Sequence, residues 1–273
     1  MQARFYFVMA LFGITLVLAA ILPPIPQPHA YHQFVDQRAF WSIPNFFNVI
    51  SNLIFLWVGI VGLVFLKRLR MNTVQKTFAV IEERRPYLIV FMSVLMVSMG
   101  SAYYHWMPEN STLFWDRLPI AIGMMALLAA TIVERIGIKQ GLRALPLLIM
   151  IGIASVIHWY WSERQGEGNL NFYIVVQFSS IVLIVLLAAL FPSRYSRGAD
   201  ICGVIALYGL AKFAEVLDEP IYQLGQIISG HTLKHLLAGL AVYGLLRMLK
   251  KRVLLEKVED PIDHAGVNTS QSK

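Results

Sequence analysis

Apolar runs of about twenty residues recur along the whole of this chain, and a run of that length has few folds open to it. A helix of about 20 residues rises about 30 Å, the thickness of a bilayer's hydrocarbon core. Eight such runs fall at about residues 4–23, 47–66, 87–106, 115–134, 144–162, 172–192, 199–218 and 231–249. Hydrocarbon offers no water to backbone N–H and C=O groups, so each run must satisfy its own hydrogen bonds as a helix. Barrel strands would be about half as long and alternate in polarity. Composition agrees: 57% of the 273 residues are hydrophobic and 14% charged, with a mean hydropathy of +0.61. The expected fold is an all-α polytopic membrane protein, a seven-transmembrane-helix core preceded by one extra N-terminal helix. Its connections are too short for a separate soluble domain.

Three segments follow from this reading. Residues 1–30 form the N-terminal transmembrane helix and a connection rich in proline (Pro23, Pro24, Pro26, Pro28). Residues 31–252 form the core, and 253–273 a polar, disordered cytoplasmic tail. The first run also admits reading as a signal peptide with Arg4 in its n-region. An apolar stretch of about 19 residues exceeds the usual h-region, and a retained helix is the expectation. The single Cys202 has no intrachain partner and reads as a buried small hydrophobe.

The net charge of +7 has a simple source. Seventeen Lys and Arg, from Arg4 through Lys67, Arg135 and Arg194 to Lys257, fall at one set of alternate helix ends. The opposite loops hold only Arg38 and Arg164, with Arg117 and Lys234 just inside helices. The positive-inside rule then puts both termini in the cytoplasm. No motif or soluble face supports nucleic-acid binding, and no protein partner is implied.

Polar residues gather at the other end. Asp36, Asn45, Asn48, Ser101, His105, Asp116, His158, Glu163, Glu215, Asp218, His231 and His235 all fall at or near the outer helix ends. Ionisable groups in spans are costly and mark a cavity or a site, here facing the non-cytoplasmic side of a plasma membrane or bacterial inner membrane. Five of the six tryptophans (Trp41, Trp106, Trp115, Trp159, Trp161) share that side, most of them as interfacial anchors.

The pair His231 and His235 is the most telling local signal. Residues i and i+4 share a helix face about 6 Å apart, so both imidazoles can reach one zinc ion. His105, at another helix end, can supply the third ligand, leaving a tetrahedral position for water whose pKa the metal lowers. The alternative is hydrogen-bonded interhelical packing of the same histidines. Ser101 lies one turn below His105, placed to hydrogen-bond a water or an oxyanion, or else to back-bond to its own helix. Asp116, at the start of the next helix, can pass a proton from water to a leaving group, or else pair with Arg117 or its helix N-terminus. Lys212 and Glu215 read as a buried ion pair holding helices together, and His158 as a satisfied interfacial histidine. His29 and His32 are not needed for a three-histidine site.

Together, Gly100-Ser-Ala-Tyr-Tyr-His-Trp106, Phe114-Trp-Asp-Arg-Leu-Pro119 and Ser229-Gly-His-Thr-Leu-Lys-His235 resemble the three signature motifs of the CREST superfamily of membrane hydrolases. Within it the alkaline ceramidases and their bacterial relatives are most similar. Asn45-Phe-Phe-Asn-Val-Ile-Ser-Asn52 resembles the start of that family's first core helix, and the resemblance covers about residues 36–249. It implies a seven-helix core, zinc held by His105, His231 and His235, and supporting catalytic roles for Ser101 and Asp116. It also implies hydrolysis of ceramide-like membrane lipids at their amide bond to a sphingoid base and a fatty acid. An ester-directed lipid hydrolase or remodelling enzyme and a lipid-binding receptor are the alternatives within reach of the same residues. Two features depart from the family: the first span has no counterpart in it, and Asn45 stands where a glutamate of an acidic calcium site belongs. Structural calcium is therefore not expected.

Overall fold

The computed structural model describes residues 2–69 and 77–255. Arg70, Lys76, Lys257 and nearly all of the expected polar tail lie outside the described residues. Helix α1 (Gln2–Ile21) is followed by a proline-rich crossing stretch with one 3₁₀ turn (His29–His32), then by short α2 (Phe46–Ile50) and α3 (Leu53–Arg68). After a second 3₁₀ turn (Ile81–Glu83) come α4 (Arg84–Trp106), α5 (Asn110–Arg135), α6 (Ile138–Arg164), α7 (Asn171–Leu190), α8 (Asp200–Val216), α9 (Asp218–Gln223) and α10 (Gly230–Lys251). Among the described residues the only strand-type pairings are isolated bridges, such as that between Tyr195 and Leu254. The architecture is all-α and polytopic, as the apolar runs predict.

Among the described residues, seven segments are long and apolar enough to cross a membrane, with α2 and α3 together making one of them. The run expected at 199–218 is a helix too, but α8 has 17 residues and stops at Val216. That sits at the lower limit for crossing hydrocarbon. Pro220, four residues on, has no N–H for the Val216 carbonyl, and beyond the helix end the Asp218 carboxylate accepts the His231 N–H at 2.7 Å. The span expected at 47–66 is broken at Ser51 and Asn52. Both side chains bond back to the Asn48 carbonyl, at 3.1 and 2.8 Å, and compete with the helical ladder.

Burial ranks the helices. In α5, 72% of the span is buried against 17% in α1, so α5 is the hub and α1 lies at the rim. α5 packs between α4 and α6, while α10 packs on α8 and α3. α1 rests on α7, where the Asn171 amide donates to the carbonyls of Leu22 and Pro23 at 3.2 and 3.0 Å. Those acceptors at and beyond the end of α1 would otherwise be unsatisfied in an apolar setting. Cys202 departs from expectation: it is exposed on the outer face of α8 rather than buried.

Close helix contact is obtained at glycine. A Cβ at Gly100 would lie 2.0 Å from the Trp115 carbonyl oxygen, so α4 and α5 meet there backbone to backbone. Pro119, four residues on, has no N–H to give that carbonyl, which leaves it free to face Gly100. Gly230 does the same for α10, where a Cβ would meet the Ala214 carbonyl oxygen at 2.2 Å.

Candidate active site

These two glycine contacts seat the helices that carry the sequence-predicted residues. Gly100 sets Ser101 beside Asp116, and both side chains border one cavity. Asp116 does not open its helix as expected. The Glu109 N–H donates to Thr112 Oγ1 at 3.3 Å, and α5 starts at Asn110, which puts Asp116 almost two turns inside. No ion pair links Asp116 to Arg117 among the described residues, so the alternative role as an arginine partner is not the one adopted.

The start of α10 is heavily capped. Ser229 accepts the Thr232 N–H at 3.1 Å, and Asp218 accepts that of His231. Fixed in this way, His231 and His235 face His105 across the helix interface, all three almost fully buried. His105 Nε2 lies 3.2 Å from His235 Nε2 and 3.3 Å from His231 Nε2. Donors about 2.0–2.1 Å from one tetrahedral zinc stand about 3.3 Å apart, so the spacing fits a shared ion. Three converging imidazole nitrogens cannot all be satisfied by one another's protons. The Lys234 ammonium lies 2.8 Å from His231 Nε2 and 3.0 Å from Glu215, so ligation by that nitrogen requires the ammonium to rest on Glu215 alone. The donor set and its geometry fit zinc.

Neighbouring groups orient the rings. Ser51 Oγ gives its one proton to the Asn48 carbonyl and lies 2.7 Å from His235 Nδ1, from which it accepts. That tautomer leaves His235 Nε2 with its lone pair toward the centre. Asn48 also accepts from Thr232 Oγ1 at 2.8 Å, and Asn45 donates to the His105 carbonyl at 2.9 Å. Phe34 covers the cluster edge-on, with ring centroids 4.7 Å from His105 and 4.9 Å from His231. Ser51 and Phe34 escape sequence reasoning. For Ser51 a signal exists: polar residues at 45, 48, 51 and 52 fall on one face of an otherwise apolar run. A lone phenylalanine in a connecting stretch gives none.

Other singled-out residues find plainer places. Asp36 is held bidentately by Arg38, at 2.8 and 2.7 Å. His32 bonds Tyr104 and Asn110 and stays outside the triad, and burial depresses its pKa. Lys212 and Glu215 pair within α8, and it is Lys234 of α10, 3.0 Å from Glu215, that ties the two helices. His158 is not fully satisfied, because its buried Nδ1 has no partner among the described residues. Four of the five outer tryptophans are exposed, as anchors should be, whereas Trp159 is fully buried.

Ser101, Asp116, His235 and Lys234 border a cavity of about 320 Å³. Its walls come from α4, α5, α7, α8 and α10 and turn apolar away from the histidines. A bundle of membrane-length helices whose buried polar centre opens into an apolar, chain-sized cavity defines a membrane protein that works on lipid. Residues 38–217 match the family model described as Ceramidase, more than half of the chain. The chain belongs to the ceramidase family, and so to a class of membrane hydrolases. The match takes in Ser101, His105 and Asp116 and ends before His231, so the histidine pair of α10 joins the site by geometry. No curated protein and no solved structure matches the chain.

Proposed function

We propose that this protein is a zinc-dependent membrane amidase that hydrolyses ceramide-like lipids to a sphingoid base and a fatty acid. The observation that carries the reading is the convergence of His105, His231 and His235, with His105 Nε2 3.2–3.3 Å from the other two, beside a cavity lined by His235, Ser101 and Asp116. Zinc held by the three imidazoles would supply a Lewis acid that makes a water nucleophilic near neutral pH. Asp116 takes a proton from the attacking water as its oxygen adds to the amide carbonyl carbon. The same carboxylate hands the proton to the amide nitrogen as the C–N bond breaks, releasing an amine and a fatty acid. Ser101 holds the carboxylate in place and can turn its hydroxyl to the developing oxyanion. Phe34 and the buried histidines keep bulk water from the reacting atoms.

Membrane embedding lets the lipid chains stay in apolar surroundings while the amide reaches the histidines. The basic residues at the opposite helix ends support cytoplasmic termini and a site facing the non-cytoplasmic side. The N-terminal helix and its proline-rich connection are a retained segment that leads into Tyr31 and Phe34 at the edge of the site.

Purified protein incubated with a panel of N-acyl sphingoid bases and glycerolipids, with products identified by mass, tests the reaction. Release of sphingoid base and fatty acid is expected, with about one zinc per chain. Cleavage of glycerolipid esters alone would move the protein to the ester-directed reading, and binding without cleavage to the receptor reading. Reporters after Lys273 and in the loop between His105 and Asp116 test sidedness. They are expected on opposite sides of the membrane.

A further inference from the structure

One cation beside the candidate site has no counter-charge. Arg117 is 5% exposed, and no carboxylate lies within ion-pair distance of it among the described residues. Its guanidinium is boxed by aromatic faces, 4.2 Å from the Trp159 centroid and 4.7 Å from Tyr173, and Nη2 donates to Gln27 Oε1 at 2.6 Å. The other terminal nitrogen, Nη1, is buried and has no partner among the described residues. Aromatic faces offset part of a buried charge but accept no directed N–H as an oxyanion does.

Arg117 lines the cavity, and its neighbours there are donors. The hydroxyls of Tyr31 and Tyr173 make no hydrogen bond among the described residues, and both residues line the same cavity. Tyr208 accepts from Gln177 Nε2 at 2.7 Å, which leaves its own proton to give. More than a third of Tyr31 is exposed, yet burial of its hydroxyl, with Glu215 adding to the effect, pushes its pKa up to about 12. It stays a neutral donor. Three cations face the cavity (Arg117, Lys212, Lys234) against two carboxylates (Asp116, Glu215), and a divalent metal on the histidines would widen that surplus. A neutral ligand leaves both the charge and Nη1 unanswered.

We infer that this wall is an oxyanion site, in which Arg117, with Tyr31, Tyr173, Tyr208 and Lys212, receives the phosphate or carboxylate of an anionic lipid whose chain lies in the apolar remainder of the cavity. For the reaction this rests on the proposed amidase and names its substrate class, a lipid with an anionic headgroup; the same site also suits the fatty-acid carboxylate released by hydrolysis. For binding it stands apart from that reading.

Calorimetry on detergent-purified protein, with and without zinc, reads the site without requiring turnover. Hexadecyl phosphate, hexadecanoate and hexadecanol carry the same chain and differ in head. At least one of the anions is expected to bind tenfold or more tighter than the alcohol, in zinc-free protein as well as zinc-loaded. Arg117→Gln is expected to abolish that preference. If Arg117→Gln does not fold, Lys212→Met and Tyr173→Phe are each expected to weaken it about threefold or more. Tighter binding of the phosphate assigns the site to a headgroup, and equal or tighter binding of the carboxylate assigns it to the product. Equal affinity for all three ligands, a preference that survives Arg117→Gln, or one that disappears with zinc removal would overturn the inference. Failure of the lipid panel to show amide cleavage would leave these binding results standing and count against the amidase alone.

Discussion

The two ends of this helix bundle both bury polar groups, and they treat them in opposite ways. At the basic end Arg252 donates to the Thr77 carbonyl, Tyr87 and Glu134 at 2.9, 3.2 and 3.0 Å and stacks on Tyr195 at 4.1 Å. Tyr195 in turn donates to Glu83 at 2.7 Å, and Ser193 to Glu134 at 2.6 Å. At the histidine end the groups are left partly unanswered. Every buried side-chain atom without a partner among the described residues lies there: Asn48 Nδ2, Asn52 Oδ1, His105 Nδ1, Arg117 Nη1, His158 Nδ1 and Asn171 Oδ1. Native proteins rarely leave such atoms unpaired. One end is a clamp closed by its own residues. The other keeps donors and acceptors that the described residues do not answer.

Mutations can break that contrast. The largest effect is expected from His231→Ala/His235→Ala, which should abolish zinc uptake and reduce lipid hydrolysis to background, with the helical content seen by circular dichroism unchanged. Zinc content equal to wild type would remove the metal site altogether.

Arg252→Met probes the closed end. Removing one partner of a buried ion pair costs about 3–5 kcal/mol, because the remaining charge stays buried. Unfolding in detergent should show a loss of that order, while zinc per folded molecule holds at the wild-type level. Were zinc to fall in step with stability, the two ends would not be independent.

Asp116→Asn should keep fold and metal yet slow turnover on the order of 10²-fold or more, the usual scale for losing general acid-base help. Near-wild-type turnover by the zinc-loaded variant would make the aspartate a structural residue.

Ser51→Ala comes next, for a hydroxyl that orients a ligand from behind. Such partners contribute about 10–100-fold in metal affinity, so competition with a zinc chelator should show weaker retention at little cost in stability. An unchanged chelator midpoint would reduce Ser51 to a helix-break residue. Ser101→Ala should be the mildest, slowing turnover less than Asp116→Asn. Isolation of an acylated Ser101 during turnover would instead make serine the nucleophile.

Much of this site is legible without coordinates. The spacing of His231 and His235, the repeat of that spacing in Ser101 and His105, and Asp116 after a short loop mark the residues that converge. What could not be read is which polar groups remain unpaired. Lys212 with Glu215 looked like the inter-helix pair, yet Lys234 makes the cross-helix contact. Arg117 looked like a partner for Asp116, yet its guanidinium lies in an aromatic box. Cys202 looked buried because a membrane helix is apolar on every side, and hydropathy does not tell a face turned to protein from one turned to lipid.

The sequence by itself determined what depends on local geometry and solvent: helices, because an apolar run in hydrocarbon must bond its own backbone, and a common face for His231 and His235, because a helix turns once in 3.6 residues. Tertiary structure alone decided contacts between residues far apart in the chain. His105 meets His235 across 130 positions, on helices that Gly100 and Gly230 seat against α5 and α8. Phe34 covers the histidines, and Arg117 lies without a carboxylate, because of how the segment after α1 crosses the helix ends. Those outcomes turn on ångström-scale fits between separate helices, and no periodicity along a single helix carries them.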